Sequence, residues 1–181
     1  VGDLVDSREP QLLAGIVSDL RFVNGQRGRV AIFKLDDRSE MIEAVANDEL
    51  IEANKALLRE DELVIIQGKV QPDRFPGGLR LNVASIWDLA GARARFGRYL
   101  SMAVNGGVPD VGDLVRTWPA RRQATEQGYL VPGLGLRLQI SRPTASAELD
   151  LGDQGRFWPC DEALARCKAL AHGGQAAIVY D

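Results

Sequence analysis

A chain of 181 residues, 45% hydrophobic and 26% charged, has the make-up of one large or two small folded domains. It contains no apolar run near the ~18 residues that span a bilayer, and Val1-Gly-Asp-Leu-Val-Asp6 lacks the basic start and apolar stretch of a signal peptide, so no membrane partner is expected. A net charge of −3 argues against indiscriminate nucleic-acid binding, and with 11 basic against 16 acidic residues over 1–90, any such site must be a local patch.

The first half reads as short strands with one helix inserted. Gln11 to Asn24 is strand-like, with Leu12, Ala14, Ile16, Leu20 and Phe22 sharing one face at period two, and Gly15 allows a sharp bend. Asn24-Gly-Gln-Arg-Gly28 is hairpin-turn chemistry. Val30 to Asp36 is the second strand, Asp36-Asp-Arg-Ser39 the next turn, and Met41 to Ala46 the third strand. Asn47 then suits an N-cap, Asp48 and Glu49 suit a first helical turn, and Leu50, Ile51, Leu57 and Leu58 extend helical spacing toward Glu60. Leu63 to Gln71 returns to strand, Pro72 to Gly78 is a loop, and Leu79 to Trp87 is the fifth strand. Three strands, a helix and two more strands is the order of the five-stranded oligonucleotide-binding (OB) barrel, whose helix plugs one end.

Asp88 to Leu100 is expected to be a connecting helix with Ala92, Phe96 and Tyr99 on one face. From there the pattern is that of a small α+β module. A strand over Leu100 to Val104 precedes a helix capped by Asp110 and ended near Pro119. Arg121 to Pro132 reads as a loop, Gly135 to Ser141 as a strand with Leu136, Leu138 and Ile140 inward, and Ala147 to Leu151 and Gly155 to Trp158 as short strands. A helix from Pro159 or Asp161 carries Leu164, Cys167 and Leu170 to Gly173-Gly174, and Gln175 to Tyr180 is a last strand. The fold expected is therefore an all-β five-stranded barrel over 1–88, a connecting helix over 89–100 and a small α+β domain over 101–181.

Gly28-Arg-Val-Ala-Ile followed by Leu35-Asp-Asp-Arg-Ser-Glu-Met-Ile-Glu43 resembles the signature of a barrel family. That family includes anticodon-binding domains of class II aminoacyl-tRNA synthetases and a domain near the C-terminus of the bacterial DNA polymerase III α subunit. Ala14-Gly-Ile-Val, Leu63-Val-Ile-Ile-Gln-Gly-Lys-Val, Phe75-Pro-Gly-Gly-Leu-Arg and Ala92-Arg-Ala-Arg-Phe-Gly-Arg-Tyr-Leu100 favour the polymerase, as does a small module in place of a catalytic domain after the barrel. The start at Val1 reads as a piece of a longer polypeptide. The resemblance implies a barrel that binds single-stranded template DNA and a terminal module that docks the τ subunit of the clamp loader. It also implies that the polymerase chemistry lies upstream, leaving this part non-catalytic. An RNA-binding module of synthetase type and a pure protein-interaction scaffold remain the alternatives.

Barrel geometry puts a ligand across strands two and three, between the loops joining strands one to two and four to five. Arg21, Arg27, Arg29, Lys34, Lys69, Arg74 and Arg80 gather there with only Asp73 expected to oppose them, interleaved with Phe33 and Phe75. Cations tracking phosphates and rings stacking on bases are what single-strand binding requires, with weak, steeply salt-dependent affinity. Phe22 shares parity with Leu20 and Ile16 and is expected in the core. Phe33 is ambiguous because the parity of strand two looks disturbed, and Phe75, in a Pro/Gly loop, is the best stacking candidate.

Asp36-Asp37 is better explained by a turn than by metal binding, and Cys160, Cys167 and His172 lack finger spacing, so no metal or cofactor is expected. With only two cysteines there is no disulfide framework, which suits a reducing cytoplasm. In the module, Trp118, Phe157 and Trp158 are partner-binding candidates if exposed. Gln175-Ala-Ala-Ile-Val-Tyr180 is a degenerate match to sliding-clamp peptides that a plain strand also explains, with Tyr180 as its anchor.

Overall fold

The run Gln11–Gly25 forms a single 15-residue strand, β1, long enough to serve two neighbours. Its first part pairs antiparallel with β4 (Leu63–Pro72) and its later part with β2 (Gly28–Asp36). β3 (Met41–Ala46) lies beside β2, and β5 (Leu79–Trp87) joins β3 in parallel and β4 antiparallel, closing a barrel in the order β1-β2-β3-β5-β4. With α1 (Asp48–Ala53) between β3 and β4, this is the OB topology. The computed structural model describes residues 1–4, 6, 9–25, 28–73, 78–105, 107, 109–121, 123–125 and 128–181. These divide into two units, Val1–Leu89 and Ala90–Asp181. Among the described residues no helix is long and apolar enough to cross a membrane.

Closing so small a barrel requires close backbone approaches, and two glycines supply them. A Cβ on Gly15 would lie 2.7 Å from Leu35 Cγ and 2.9 Å from the Asp36 carbonyl oxygen, and one on Gly68 only 2.4 Å from the Asn82 carbonyl oxygen. The core holds Val17, Phe33, Leu35, Ile42, Val64, Ile66, Val70 and Leu81, with Ile51 and Leu58 from the α1 region.

The expected parity of β1 is reversed over its first part. Gly15 and Val17 are buried and Leu13 packs on the core, whereas Leu12 is exposed. Ser18 pairs with Lys34 and Arg21 with Ile32, so β1 carries one extra residue between them, at Asp19, whose φ is +51°. The bulge turns the strand over: Leu20, on the far side of it, packs on the core. β2 alternates regularly, with Ala31, Phe33 and Leu35 inward. The α1 helix ends at Ala53 rather than near Glu60, because the Asn54 side-chain amide donates to the Leu50 carbonyl and hydrogen-bonded turns follow.

In the second unit, α2 (Leu89–Phe96) stops earlier than expected and β6 begins at Gly97, spanning Gly97–Asn105. A four-stranded sheet follows the order β10-β9-β6-β11, from β9 (Gly135–Arg142), β10 (Ala145–Asp150) and β11 (Ala176–Tyr180). Leu100, Met102, Leu136 and Leu138 share its buried face with residues of α3 (Val111–Thr117) and α4 (Asp161–Leu170). The expected loop over 121–132 contains a small hairpin, β7 (Gln123–Thr125) and β8 (Gly128–Leu130). Gly152–Gly155 is a 3-10 turn, and instead of a strand beyond it Phe157 makes isolated bridges to Pro119 and Leu134.

Candidate nucleic-acid interface

Outward-facing residues of the barrel fall into two rows set by register. One runs Ser18, Lys34, Glu43, Arg80 and Gln71, and the next runs Arg21, Ile32, Val45, Asn82 and Lys69. Val23 and Val30 pair beyond the second row. Alternation puts every second residue outside, and the ladder sets Arg21, Lys34 and Arg80 beside the outward Ile32 and Val45, with Lys69 following on β4 as the rows continue around the closed barrel. Arg27, Arg74 and Phe75 lie outside the described residues.

The cations are opposed by more than Asp73. Glu43 accepts from both Arg21 Nη2 at 3.2 Å and Arg80 Nη2 at 2.6 Å, and Arg80 also meets Asp73 at 3.1 Å. Lys34 Nζ lies 2.7 Å from Asp19, whose carboxyl it holds below the ordinary carboxylate range by its hydrogen bond and charge. Arg29 spans Asp48 at 3.4 Å and Glu52 at 2.5 Å. Lys69 has no ion pair among the described residues. Any phosphate reaching Arg21, Lys34 or Arg80 has to displace a carboxylate.

Two aromatic assignments change. Phe33 is 1% exposed in the barrel core, because β2 keeps strict alternation, and it has no ring face to offer a base. Phe22, expected in the core, is 50% exposed, with the Arg29 guanidinium 5.6 Å from its ring centroid. The bulge and the overshoot of β1 account for this: the core that Leu20 reaches does not extend to Phe22. Glu43 was also missed as a site residue. Its only sequence signal is its outward parity in β3, next to Lys34 in β2.

Asp36 and Asp37 serve their turn. Asp36 accepts from Arg38 N at 2.7 Å, and Asp37 from Ser39 Oγ at 2.6 Å, Ser39 N at 2.9 Å and Glu40 N at 3.0 Å. No group of three or more metal-ligating side chains occurs among the described residues.

Of the partner-binding candidates, Phe157 is fully buried, its backbone bonded in both directions to Leu134, so it is a core residue and not an anchor. Trp118 packs partly against the same core, Trp158 carries the Arg121 guanidinium 3.9 Å from its ring centroid, and Tyr180 is 52% exposed at the end of the edge strand β11.

Residues 12–89 match the family described as an "OB-fold nucleic acid binding domain", of the tRNA anticodon type. Relatives named DNA polymerase III subunit alpha align along nearly the whole chain. The one from Vibrio cholerae is 28% identical over 93% of this chain, that from Pseudomonas aeruginosa 31% over 90%, and that from Escherichia coli K12 29% over 93%. The chain spans only 13–14% of the length of these curated relatives. Among solved structures, the second single-stranded DNA-binding protein of Mycobacterium smegmatis is similar at 13% identity and a TM-score of 0.42, over 46% of this chain and 89% of that one.

Proposed function

We propose that this chain, a homologue over about nine-tenths of its length of a segment of the DNA polymerase III α subunit, is a non-catalytic tethering part of such a polymerase whose barrel holds single-stranded template DNA. The observation that carries this reading is the outward row in which Arg21 and Arg80, joined through Glu43, lie with Lys34 beside Ile32 and Val45 on β1, β2, β3 and β5. An extended strand needs just such a continuous track: cations for the phosphates and apolar area for sugars and bases. Because Arg21, Lys34 and Arg80 are already paired, the contact is weak on its own. It becomes effective when the rest of a polymerase raises the local DNA concentration.

The experiment is a titration of the chain with short labelled oligo-dT at two salt concentrations, with transfer RNA as competitor. Saturable binding that oligo-dT competes better than transfer RNA supports the template reading. Stronger competition by transfer RNA would move the barrel to the RNA-binding alternative.

The second unit is proposed to dock the τ subunit of a clamp loader. The alignment to the polymerase relatives runs through this unit, and Trp118, Trp158 and Tyr180 offer partly exposed rings of the kind that anchor interfaces. Pull-down of τ by the chain, lost on replacing Trp158 and Tyr180 with Ala, is the expected result. Capture of τ by a chain that binds no single strand at low salt would favour the pure scaffold. A sliding-clamp contact through Gln175–Tyr180 fits the same reading through the exposed Gln175 and Tyr180 side chains, since one edge of the β11 backbone pairs with β6 from Ala176 to Tyr180.

A further inference from the structure

We infer that Phe22 is a base-stacking platform, a binding residue outside the cationic rows; this rests on the single-strand reading above. Beyond Ile16, β1 has no further pairing with β4 and continues as a two-stranded ribbon with β2 as far as Gly25–Gly28. On that ribbon Arg21 pairs with Ile32 and Val23 with Val30 on one face, and Phe22 lies on the other. Phe22 is one of eleven large apolar side chains that stand exposed, and of these only Phe22 and Tyr180 carry an aromatic ring among the described residues. A ring that buries half its surface and leaves the rest in water forgoes much of its apolar gain, unless something flat covers it.

Its surroundings favour a base as that cover. Arg29 stands over the ring at 5.6 Å and is itself anchored by Asp48, which opens α1, and Glu52 one turn further on, so ring and cation are held together where ribbon and helix converge. A Cβ on Gly28 would lie 3.5 Å from Asp48 Cβ, which brings the ribbon close to that helix start. The ring sits in a regular, hydrogen-bonded strand, so little ordering entropy opposes stacking. Arg29, held by Asp48 and Glu52, fixes the ring from one side by cation–π contact and leaves the exposed remainder of the ring to a base. Arg21, adjacent in sequence, faces the outer track. A strand leaving that track around β1, which beyond Ile16 pairs among the described strands only with β2, meets Phe22 next.

The test is fluorescence-anisotropy titration of the 181-residue chain with labelled oligo-dT and with an abasic strand of equal length, for wild type, Phe22→Ala, Phe22→Trp and Arg80→Ala. Phe22→Ala is expected to weaken oligo-dT binding by about fivefold or more and Phe22→Trp to retain it, while the abasic strand does not distinguish Phe22→Ala from wild type. The thermal midpoint of Phe22→Trp should match wild type, and that of Phe22→Ala should fall by only a few degrees, because half the ring already lies in water. If Phe22→Ala binds oligo-dT as wild type does while Arg80→Ala binds worse, the stacking inference is overturned and the barrel reading stands. Equal loss by Phe22→Ala on both strands also overturns it, as a structural effect. Absence of any wild-type binding to oligo-dT removes both.

Discussion

Glu43 Oε1 lies 2.6 Å from Arg80 Nη2 across the parallel pair of β3 and β5, while its other oxygen accepts from Arg21 at 3.2 Å. One carboxylate thus occupies two guanidiniums in the middle of the proposed track, in the position a phosphate would take. Glu43→Gln keeps the shape and removes the charge, and should raise oligo-dT affinity roughly three- to tenfold at low salt. It should also steepen the slope of log K against log salt by about 0.7 for each cation released. Glu162→Gln, an exposed change in the second unit, should alter both much less. Equal gains from the two variants would mean that only net charge matters.

The two close-approach glycines should differ in their tolerance of a methyl group. At Gly68 the obstacle is the Asn82 carbonyl at 2.4 Å, which is backbone in the adjoining strand. At Gly15 the nearest atom is a side-chain carbon of Leu35 at 2.7 Å, and the Asp36 carbonyl oxygen stands less tightly at 2.9 Å. Gly68→Ala is expected to destabilise the barrel by about 2–3 kcal/mol and Gly15→Ala by about 1–2 kcal/mol. Denaturant-dependent amide exchange in β4 measures both, and the reverse order would show that the strands shift more easily than the leucine.

The Lys34–Asp19 pair has a definite pH signature. The ammonium favours the ionised carboxyl, so Asp19 should titrate below the ordinary carboxylate range, and Lys34→Ala should move it back up. Since the folded value is the lower one, the pair stabilises the fold above the unfolded carboxylate pKa. That contribution is lost as the pH falls through the depressed folded value. A carbon-detected NMR titration of Asp19 in both proteins checks this, and an unchanged value in Lys34→Ala would remove the pair from the account.

The two thiols should separate cleanly in reactivity. Cys167 is fully buried in the second core, and burial pushes its pKa up to about 12, so almost no thiolate forms near neutrality. Cys160, ahead of α4, is only partly buried against the same core. Mass spectrometry after brief alkylation of the native chain should find the label on Cys160, with Cys167 labelled only after unfolding. Early labelling of Cys167 would indicate that the α4 region opens readily.

Much of the barrel was legible because local physics writes it locally. Period-two runs, the Asn47 cap accepting from Leu50 N at 3.0 Å and the Asp36–Asp37 turn each depend on a few neighbouring residues. The candidate site was legible only in its cations. Phe33 looked available and is core, Phe22 looked like core and is exposed, and both errors trace to face assignments that a single strand read alone does not contain.

The sequence by itself determined which segments extend, where they turn and where small residues let strands crowd together, since propensity, capping and steric bulk act over a few bonds. Only the tertiary structure decided which faces those segments present and which charges meet. One extra residue at Asp19 inverts β1, and barrel closure brings Glu43 to Arg21 and Arg80, 22 and 37 positions away along the chain. The physical reason is that side-chain direction in a strand is relative to its partners, and the partners are assigned by closure of the whole barrel.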